Sequence, residues 1–288
     1  MMKDYQLIGL YCNICQYYDS SLAVESQRQS NNFCPKFTDE ECITIYLWGI
    51  KNQKYDVKAV YNFIKDFYPG WFPALPSYQA FNYRVCYLSD TFERLADLVV
   101  GGLELEEGNN TFVHDSMPIV VANAKRSSSA KTAPEIADKG YCASKGMWYY
   151  GVKLHGLAQR LFESVPTAAQ FSLTKASTAD LPAAKEMLND VYGIDLFADK
   201  AYIDKQWSEY MLNSNQVDIY TPIKLKKGQK RLDSADSLFS SAVAQIRQPI
   251  ESFFNWINQK TQIQDASFVR STNGLLSFIY ARIASCFI

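Results

Sequence analysis

The sequence of 288 residues has no apolar run that approaches the roughly 20 residues needed to span a membrane as a helix. Its N-terminus, Met1-Met2-Lys3-Asp4-Tyr5, lacks the basic start, apolar stretch and small-residue cleavage site of a secretory signal. Hydrophobic residues make up 48% of the chain and charged residues 20%, as in ordinary globular proteins. These absences argue against a membrane or secreted protein and predict a cytoplasmic location.

Histidine is scarce, since the chain contains only His114 and His155, and the seven cysteines are an odd number. In a chain expected in the cytoplasm, this pattern favours reduced thiols over a disulfide framework. The pair Cys12-Asn13-Ile14-Cys15 would need two further ligands to bind zinc. Cys34 and Cys42 are available nearby, but both histidines lie far downstream. The pair is therefore predicted to be ordinary thiols on a helix.

Net charge is also small, −1 for the whole chain, which is not typical of a nucleic-acid-binding protein. The charge is unevenly distributed, because residues 111–160 and 200–288 each carry a net charge of +4. Basic charge peaks in the tract Lys224–Arg231, which contains Lys226 and Lys227. A local basic patch is sufficient for phosphate contacts. A solvated loop is the other interpretation of this tract.

Residues 1–105 are predicted to form a helical domain. Thr38-Asp39-Glu40-Glu41 has the spacing of a capping box, and apolar residues at helical spacing follow it. A further helix is predicted over 78–99, where Arg84 and Arg94 could enter a DNA groove as part of a helix-turn-helix. A helical bundle that packs on a second domain or assembles with another copy is the alternative.

The pattern changes at about residue 106, after Gly101-Gly102 and an acidic stretch. Three strands, followed by alternating helices and strands, predict an α/β domain whose mixed sheet is flanked by helices. The predicted elements are strands near 110–115, 147–155 and 170–174, a helix at 178–191 opened by Ser177 or Thr178, a strand at 195–199, a helix at 203–213, a strand at 217–221 and a helix that contains Glu251.

Three acidic residues occupy distinctive places in this pattern. Asp115 and Asp199 each end a strand-like run, and Glu251 lies in a helical segment four residues after Arg247. Two strand-end aspartates and a helix-borne glutamate can converge on a pair of divalent cations, which is the apparatus for cutting and joining phosphodiester bonds. Arg247 shares a helical face with Glu251, so it either contacts a DNA phosphate or pairs with Glu251.

Four motifs around these acids resemble, in the same order, motifs of the DDE transposases of bacterial insertion sequences. They match that family's D-S-x-P, aromatic-Y-G-x-K-L-H, G-D-K-G-Y and R-x-x-I-E patterns. In this chain they are His114-Asp115-Ser116-Met117-Pro118-Ile119, Trp148-Tyr149-Tyr150-Gly151-Val152-Lys153-Leu154-His155, Ala198-Asp199-Lys200-Ala201-Tyr202 and Arg247-Gln248-Pro249-Ile250-Glu251. The resemblance implies a ribonuclease-H-like catalytic domain at 106–288, preceded by the α-helical N-terminal domain.

The resemblance also implies a function. Asp115, Asp199 and Glu251 would be the catalytic residues and would hold two Mg²⁺ ions, for which Mn²⁺ would substitute. The enzyme would cleave DNA at the ends of an insertion sequence and transfer the strands into target DNA. Its partners would be the terminal inverted repeats and target DNA, bound by a homo-oligomer associated with the nucleoid. The alternatives are a metal-dependent nuclease that cuts without joining, and an inactive DNA-binding descendant.

The residues around the three acids divide into structural and DNA-binding groups. His114 points to the strand face opposite Asp115, and His155 is predicted to be a sheet histidine with its hydrogen bonds satisfied. Phe253, Phe254 and Trp256 are predicted to belong to the core rather than to form platforms on which bases stack. The residues expected to contact DNA are Lys153, Lys200, Lys226, Lys227 and Arg247.

Overall fold

The computed structural model describes residues 2–27 and 35–288, so Cys34 lies outside the described residues. No helix within these ranges is long and apolar enough to cross a membrane. The chain forms two compact units. The helical unit contains Met1–Gly102, Lys131–Glu135 and Ile257–Ile288, and the sheet unit contains Leu103–Ala130 and Ile136–Trp256.

The helices and strands follow one another along the chain in this order. They are α1 (Met2–Tyr17), α2 (Asp39–Lys51), α3 (Val57–Phe67), α4 (Tyr78–Tyr87), α5 (Ser89–Gly101), β1 (Thr111–Asn123), β2 (Asp138–Cys142), β3 (Met147–Gln159), β4 (Thr167–Lys175), α6 (Asp180–Met187), β5 (Asp195–Phe197), α7 (Lys205–Asn215), β6 (Asp218–Tyr220), α8 (Ser234–Arg247), α9 (Pro249–Thr261) and α10 (Thr272–Phe287).

The predicted capping box at the start of α2 is confirmed. The Thr38 hydroxyl accepts a hydrogen bond from the Glu41 N–H at 3.3 Å, and the Glu41 carboxylate accepts one from the Thr38 N–H at 2.8 Å. The single helix predicted over 78–99 is wrong, because the structure has two helices, α4 and α5. They are separated at Leu88, whose ψ of 22° departs from helical geometry.

Arg84 of α4 is buried rather than exposed to a DNA groove. Its Nε donates to Asp39 Oδ1 at 2.6 Å, and its Nη2 donates to the carbonyl of Ser26 at 2.7 Å. Asp39 is itself only 5% exposed, and it lies in the first turn of α2. The pair therefore locks α2 to α4 inside the helical unit, and Arg84 cannot serve the predicted groove contact.

The last helix, α10, completes the core of the helical unit. Its Ser277 hydroxyl donates to the carbonyl of Val85 at 2.8 Å, and its Tyr280 hydroxyl donates to Glu93 at 2.7 Å. Arg282 is fully buried and donates through Nε to the carbonyl of Thr261 at 2.9 Å. Residues 257–288, predicted to belong with the catalytic domain, thus pack with the N-terminal helices. The functional division of the chain at 105/106 stays a prediction.

The sheet unit contains a mixed sheet, as predicted. Strand β1 pairs antiparallel with β3 and parallel with β5, and β5 pairs parallel with β6. The other edge of β3 carries two strands in succession, β2 along its first half and β4 along its second. The described residues therefore form a six-stranded sheet with β1 at its centre.

Helices cover both faces of this sheet. On one face, buried apolar residues of α6 and α7 pack against β1, β3 and β5, with Phe112, Leu196 and Trp207 among them. On the other face α9 lies against β3 and β4, where Phe253 stacks on Phe171 with 6.1 Å between the ring centroids. Phe253 and Phe254 are buried, which confirms their predicted place in the core, whereas Trp256 is only partly buried.

Two element boundaries differ from the sequence prediction for identifiable reasons. The helix predicted at 178–191 is shorter, and Ala179 precedes it without a side-chain cap. Ser177, one of the predicted caps, binds elsewhere, because its N–H donates to Asp138 Oδ1 at 2.8 Å. Strand β1 runs on past Asp115 to Asn123, since β3 pairs with it along its whole length.

Candidate functional site

Asp115 and Asp199 are brought together by the register of two parallel strands. Phe112 of β1 lies beside Leu196 of β5, and Val113 lies beside Phe197. Two residues beyond these pairs come Asp115, which is still in β1, and Asp199, which lies past the end of β5, so an extension of the register would set them level with each other. Neighbouring strands lie about 4.8 Å apart. This register accounts for the electrostatic effect that Asp199 exerts on Asp115.

Asp115 sits in the middle of β1, half-buried against the neighbouring helices. Its Oδ1 accepts a hydrogen bond from the N–H of Ser116 at 2.8 Å. Burial raises the pKa of the Asp115 carboxyl to about 6, and the charges of Asp180 and Asp199 act in the same direction. The Ser116 N–H and the Arg247 guanidinium oppose that rise. Burial and the neighbouring acids therefore disfavour the charged form of Asp115, and a nearby positive charge favours it.

Arg247, the last residue of α8, joins two of the three predicted acids. Its Nη1 donates to Asp115 Oδ2 at 2.6 Å, and its Nη2 donates to Glu251 Oε1 at 2.9 Å. Pro249 begins α9 immediately afterwards, which agrees with the prediction that a helix starts there. The pairing with Glu251 was one of the two roles considered for Arg247, and the contact with Asp115 was not foreseen.

The position of Glu251 depends on how closely α9 packs against the sheet. Gly156 of β3 is the cross-strand partner of Asp115. A side chain at Gly156 would lie 3.1 Å from the Phe254 ring, so glycine lets α9 approach the sheet closely. Glu251 and Phe254 are three residues apart and share a helical face. The contact of the Phe254 ring with Gly156 therefore fixes the turn of α9 that carries Glu251.

Asp199 lies two residues after the last residue of β5 and is exposed. It precedes a short 3₁₀ turn, and its Oδ1 accepts a hydrogen bond from the N–H of Lys200 at 2.6 Å. The Lys200 residue is exposed beside it. One oxygen of the Asp199 carboxylate thus accepts a hydrogen bond from the backbone, and this side of the site is exposed to solvent.

Lys153 lies on the other face of the sheet. Its ammonium donates to Asp180 Oδ1 at 3.0 Å and to the carbonyl of Thr178 at 2.8 Å. The Ser116 hydroxyl donates to the same Asp180 oxygen at 3.0 Å. Asp180 was missed in the sequence, where the predicted helix start lay two or three residues earlier. An acidic residue is favourable in the first turn of a helix. The position of Asp180 at the start of α6 was therefore the signal that could have identified it.

The two histidines pack together beneath this network. Their rings are stacked with 6.1 Å between centroids, and both residues are fully buried. His155 Nε2 shares a hydrogen bond with Thr174 Oγ1 at 2.8 Å, whereas within the described residues neither nitrogen of His114 has a partner. Burial lowers the pKa of His114 to about 3 and that of His155 to about 4. Both rings are therefore neutral at physiological pH.

Lys226 and Lys227 lie in the exposed connection between β6 and α8. The backbone N–H of Lys226 donates to Gln229 Oε1 at 3.0 Å, and Gly228 adopts the left-handed conformation with φ of 87°. This local turn holds the connection without engaging either ammonium group in these contacts. The structure therefore presents both lysines to solvent.

The donor chemistry of the three acids suits a hard divalent cation, because such ions prefer carboxylate oxygens. Among residues 2–27 and 35–288, no group of three or more His, Cys, Asp or Glu side chains is arranged to hold a metal ion. Instead, the Arg247 guanidinium supplies the positive charge between Asp115 and Glu251. The carboxylates that would bind a metal are the ones that bind this guanidinium.

Comparison with known proteins identifies the family. A family described as a transposase DDE domain matches residues 107–271, a span that includes Asp115, Asp199 and Glu251. Neither the curated proteins nor the solved structures contain a match. The family match covers more than half of the chain and agrees with the resemblance seen in the four motifs. The chain belongs to the transposase DDE-domain family.

Proposed function

We propose that this protein is a DNA transposase that cleaves DNA at the ends of an insertion sequence and joins those ends to target DNA. The observation that supports the proposal is the Arg247 guanidinium, which binds both Asp115 and Glu251. The register of β1 and β5 leads to Asp115 on one strand and to Asp199 two residues past the end of the other. On this basis we assign the three acids to one site.

These three carboxylates are the proposed ligands of two Mg²⁺ ions, with Mn²⁺ as a substitute. The ions would supply an activated nucleophile, a stabilised leaving oxygen and charge neutralisation at phosphorus. Asp115 is linked to Glu251 through Arg247 and is affected by the charge of Asp199, so it is the acid that would help to hold both ions. Its half-buried carboxylate strengthens attraction to cations, because the surrounding medium screens charge less than water does.

Arg247 has two roles in this proposal. Before metal and DNA bind, its guanidinium neutralises Asp115 and Glu251. With those carboxylates holding the cations, the guanidinium would be free to bind a phosphate of the DNA. Guanidinium groups bind carboxylate and phosphate with similar geometry, so the same donors serve both partners. The two interpretations that the sequence left open are thus two states of one residue.

DNA contact is proposed for the basic residues that the structure leaves exposed. Lys200 lies beside Asp199, and Lys226 and Lys227 lie in the open connection before α8. Lys153 differs, because its ammonium is held by Asp180 and the Thr178 carbonyl. We propose that Lys153 reaches DNA only if those contacts open. The proposed partners are terminal inverted repeats and target DNA, bound by a homo-oligomer.

A ribonuclease-H-like architecture is also proposed for the sheet unit. Strands β1, β3 and β4 pair antiparallel in that order, and they are followed by β5 and β6, which run parallel to β1. That order supports the assignment, and β2 is an addition at the edge. In this architecture the acids of the central strands meet a facing helix, and the link from Asp115 through Arg247 to Glu251 on α9 supports that assignment.

The test uses the full chain, Mg²⁺ and linear DNA that carries the ends of the element. We expect cleavage at the ends, and then joining of pre-cleaved ends to a target plasmid, both abolished by EDTA and restored by Mn²⁺. Cleavage without joining would favour the metal-dependent nuclease. Binding to the ends without metal-dependent cleavage would favour the inactive descendant. A chain that neither binds nor cuts the ends would overturn the proposal.

A further inference from the structure

The hairpin of β2 and β3 displays two aromatic side chains that the proposed catalytic site does not use. Tyr141 and Trp148 face each other across the hairpin, and they are 49% and 52% exposed. Their ring centroids lie 5.2 Å apart, with 53° between the ring planes. The turn that joins the strands closes with a Gly146 N–H to Ala143 carbonyl hydrogen bond at 3.2 Å. Two large rings thus form one exposed surface.

The inner face of the hairpin fixes this surface in place. Cys142 and Tyr149 are buried in an apolar cluster with Val120 and Ala176. Gly140 lies so close to this cluster that a Cβ there would sit 2.2 Å from the Ala176 carbonyl oxygen. The backbone beneath the rings is therefore packed against the sheet, and the rings need little ordering before they bind a partner.

The charge around the rings favours an anionic partner. The Lys139 ammonium lies 5.1 Å from the centroid of the Trp148 ring. The neighbouring acid, Asp138, is engaged by the N–H and hydroxyl of Ser177. The surrounding segment, residues 111–160, carries a net charge of +4. A partner that offers both flat π faces and negative charge matches this combination.

We propose that Lys139, Tyr141 and Trp148 form a platform on which unpaired bases of a DNA strand stack, an inference that rests on the proposed function. Base faces would lie against the rings while the lysine meets a phosphate. Such stacking tolerates any base, because every base has a π face. A base-paired duplex hides these faces, so the platform distinguishes unpaired strands from duplex DNA.

The position of the hairpin sets the number of nucleotides that a bound DNA strand would need to reach the catalytic region. Trp148 precedes Gly156, the partner of Asp115, by eight residues on β3. At about 3.3 Å per residue this separation is roughly 26 Å along the strand. A stacked strand rises about 3.4 Å per nucleotide, so about eight nucleotides would span the distance. A probe of about 15 nucleotides, at roughly twice that length, is therefore long enough to test the platform.

The experiment measures binding by fluorescence anisotropy with three labelled probes. These are a single-stranded oligothymidine, an abasic strand of the same length and a blunt duplex. We expect Trp148→Leu to weaken oligothymidine binding about tenfold, the loss of one stacked base, and to leave the other probes unchanged. Trp148→Phe keeps a ring and should stay within about twofold of the wild type. Phe162→Leu is the matched control, because Phe162 is 87% exposed elsewhere in the sheet unit.

Salt dependence separates the rings from the lysine. Lys139→Gln should flatten the slope of log affinity against log salt by about 0.7 on the single strand, because one phosphate contact is lost. Trp148→Leu should leave that slope unchanged, since stacking releases no counterions. A cross-strand aromatic pair also stabilises a hairpin. Thermal unfolding of each variant therefore checks the fold, and Tyr141→Leu replaces Trp148→Leu if the latter unfolds.

Several results would overturn the platform. They include unchanged oligothymidine binding by the ring variants, equal losses on the abasic strand, or an equal loss in the Phe162→Leu control. A homodimer that dissociates on Trp148→Leu, with oligothymidine binding intact, would show that the rings serve self-association instead. A wild-type chain that cleaves duplex ends but binds no oligothymidine would overturn the platform and leave the proposed function standing. A chain that does neither would overturn both.

Discussion

Replacing Glu251 with glutamine tests the third member of the proposed metal site. The change keeps the size of the side chain and its helix propensity, and it removes one negative charge. Loss of one carboxylate ligand should remove the several kcal/mol that the second cation contributes to the transition state. Since each 1.36 kcal/mol is tenfold in rate, cleavage and strand transfer should fall by at least about a hundredfold.

The structure indicates that this change would have little effect on the free energy of unfolding. The Glu251 side chain is 60% exposed, and its ion pair with Arg247 is an i,i+4 contact at a helix junction. Exposed pairs of this kind contribute roughly 0.3–0.5 kcal/mol to stability. A rate loss of a hundredfold or more therefore cannot come from unfolding. Thermal unfolding and binding to the DNA ends should both stay near wild type.

The assay is single-turnover cleavage of labelled end DNA over a range of Mg²⁺ concentrations. Glu209→Gln is the matched control, because Glu209 is an exposed glutamate on another helix of the sheet unit, α7. Near-wild-type cleavage by Glu251→Gln would refute its role as the third ligand.

Three further predictions follow from the basic connection, the buried ion pair and the buried histidines. Changing Lys226 and Lys227 to glutamate should weaken DNA binding and lower its salt slope while a metal-only titration is unchanged; an unaltered slope would remove them from the interface. Asp39→Ala should cost about 3–5 kcal/mol in urea unfolding, because it leaves the Arg84 guanidinium buried and unpaired. Burial depresses the pKa of His114 below that of an exposed histidine. As the pH drops below about 6.5, the unfolded chain therefore binds a proton at this residue that the folded chain does not bind, and the free energy of unfolding should fall. His114→Asn should reduce that acid loss by up to about 1.4 kcal/mol per pH unit, and an unchanged pH profile would contradict this reasoning.

Local sequence patterns predicted the elements that depend on neighbouring residues. The start of α2 follows from Thr38 and Glu41, which cap the helix without help from the rest of the fold. The α/β order of the sheet unit was readable because its strands are apolar and its helices are capped or broken by polar residues and proline. The convergence of Asp115 with Asp199 was an inference from resemblance, since only the long-range register makes them level.

The features that escaped prediction depend on contacts distant in sequence. Strand β2 has a polar start and an internal glycine, Gly140, so no alternation marks it, and pairing with β3 creates it. Asp180 gains its place from Ser116 and Lys153, which lie 64 and 27 residues away. The buried pairing of Arg84 with Asp39 spans 45 residues and gives no local signal. A charged side chain on a predicted helix looks solvent-exposed until its partner is known.

The packing of α10 has a consequence for the order in which the two units fold during protein synthesis. The helical unit needs residues 257–288, yet the sheet unit is encoded between them and α5. A ribosome that adds about 5–20 residues per second needs roughly 8–30 s to travel from Gly102 to Ile257. During that interval the sheet unit can fold on the nascent chain while α5 still exposes the apolar surface that α10 will cover. A stop codon shortly before Thr272 would therefore release a chain that carries Asp115, Asp199 and Glu251 but cannot close its helical core.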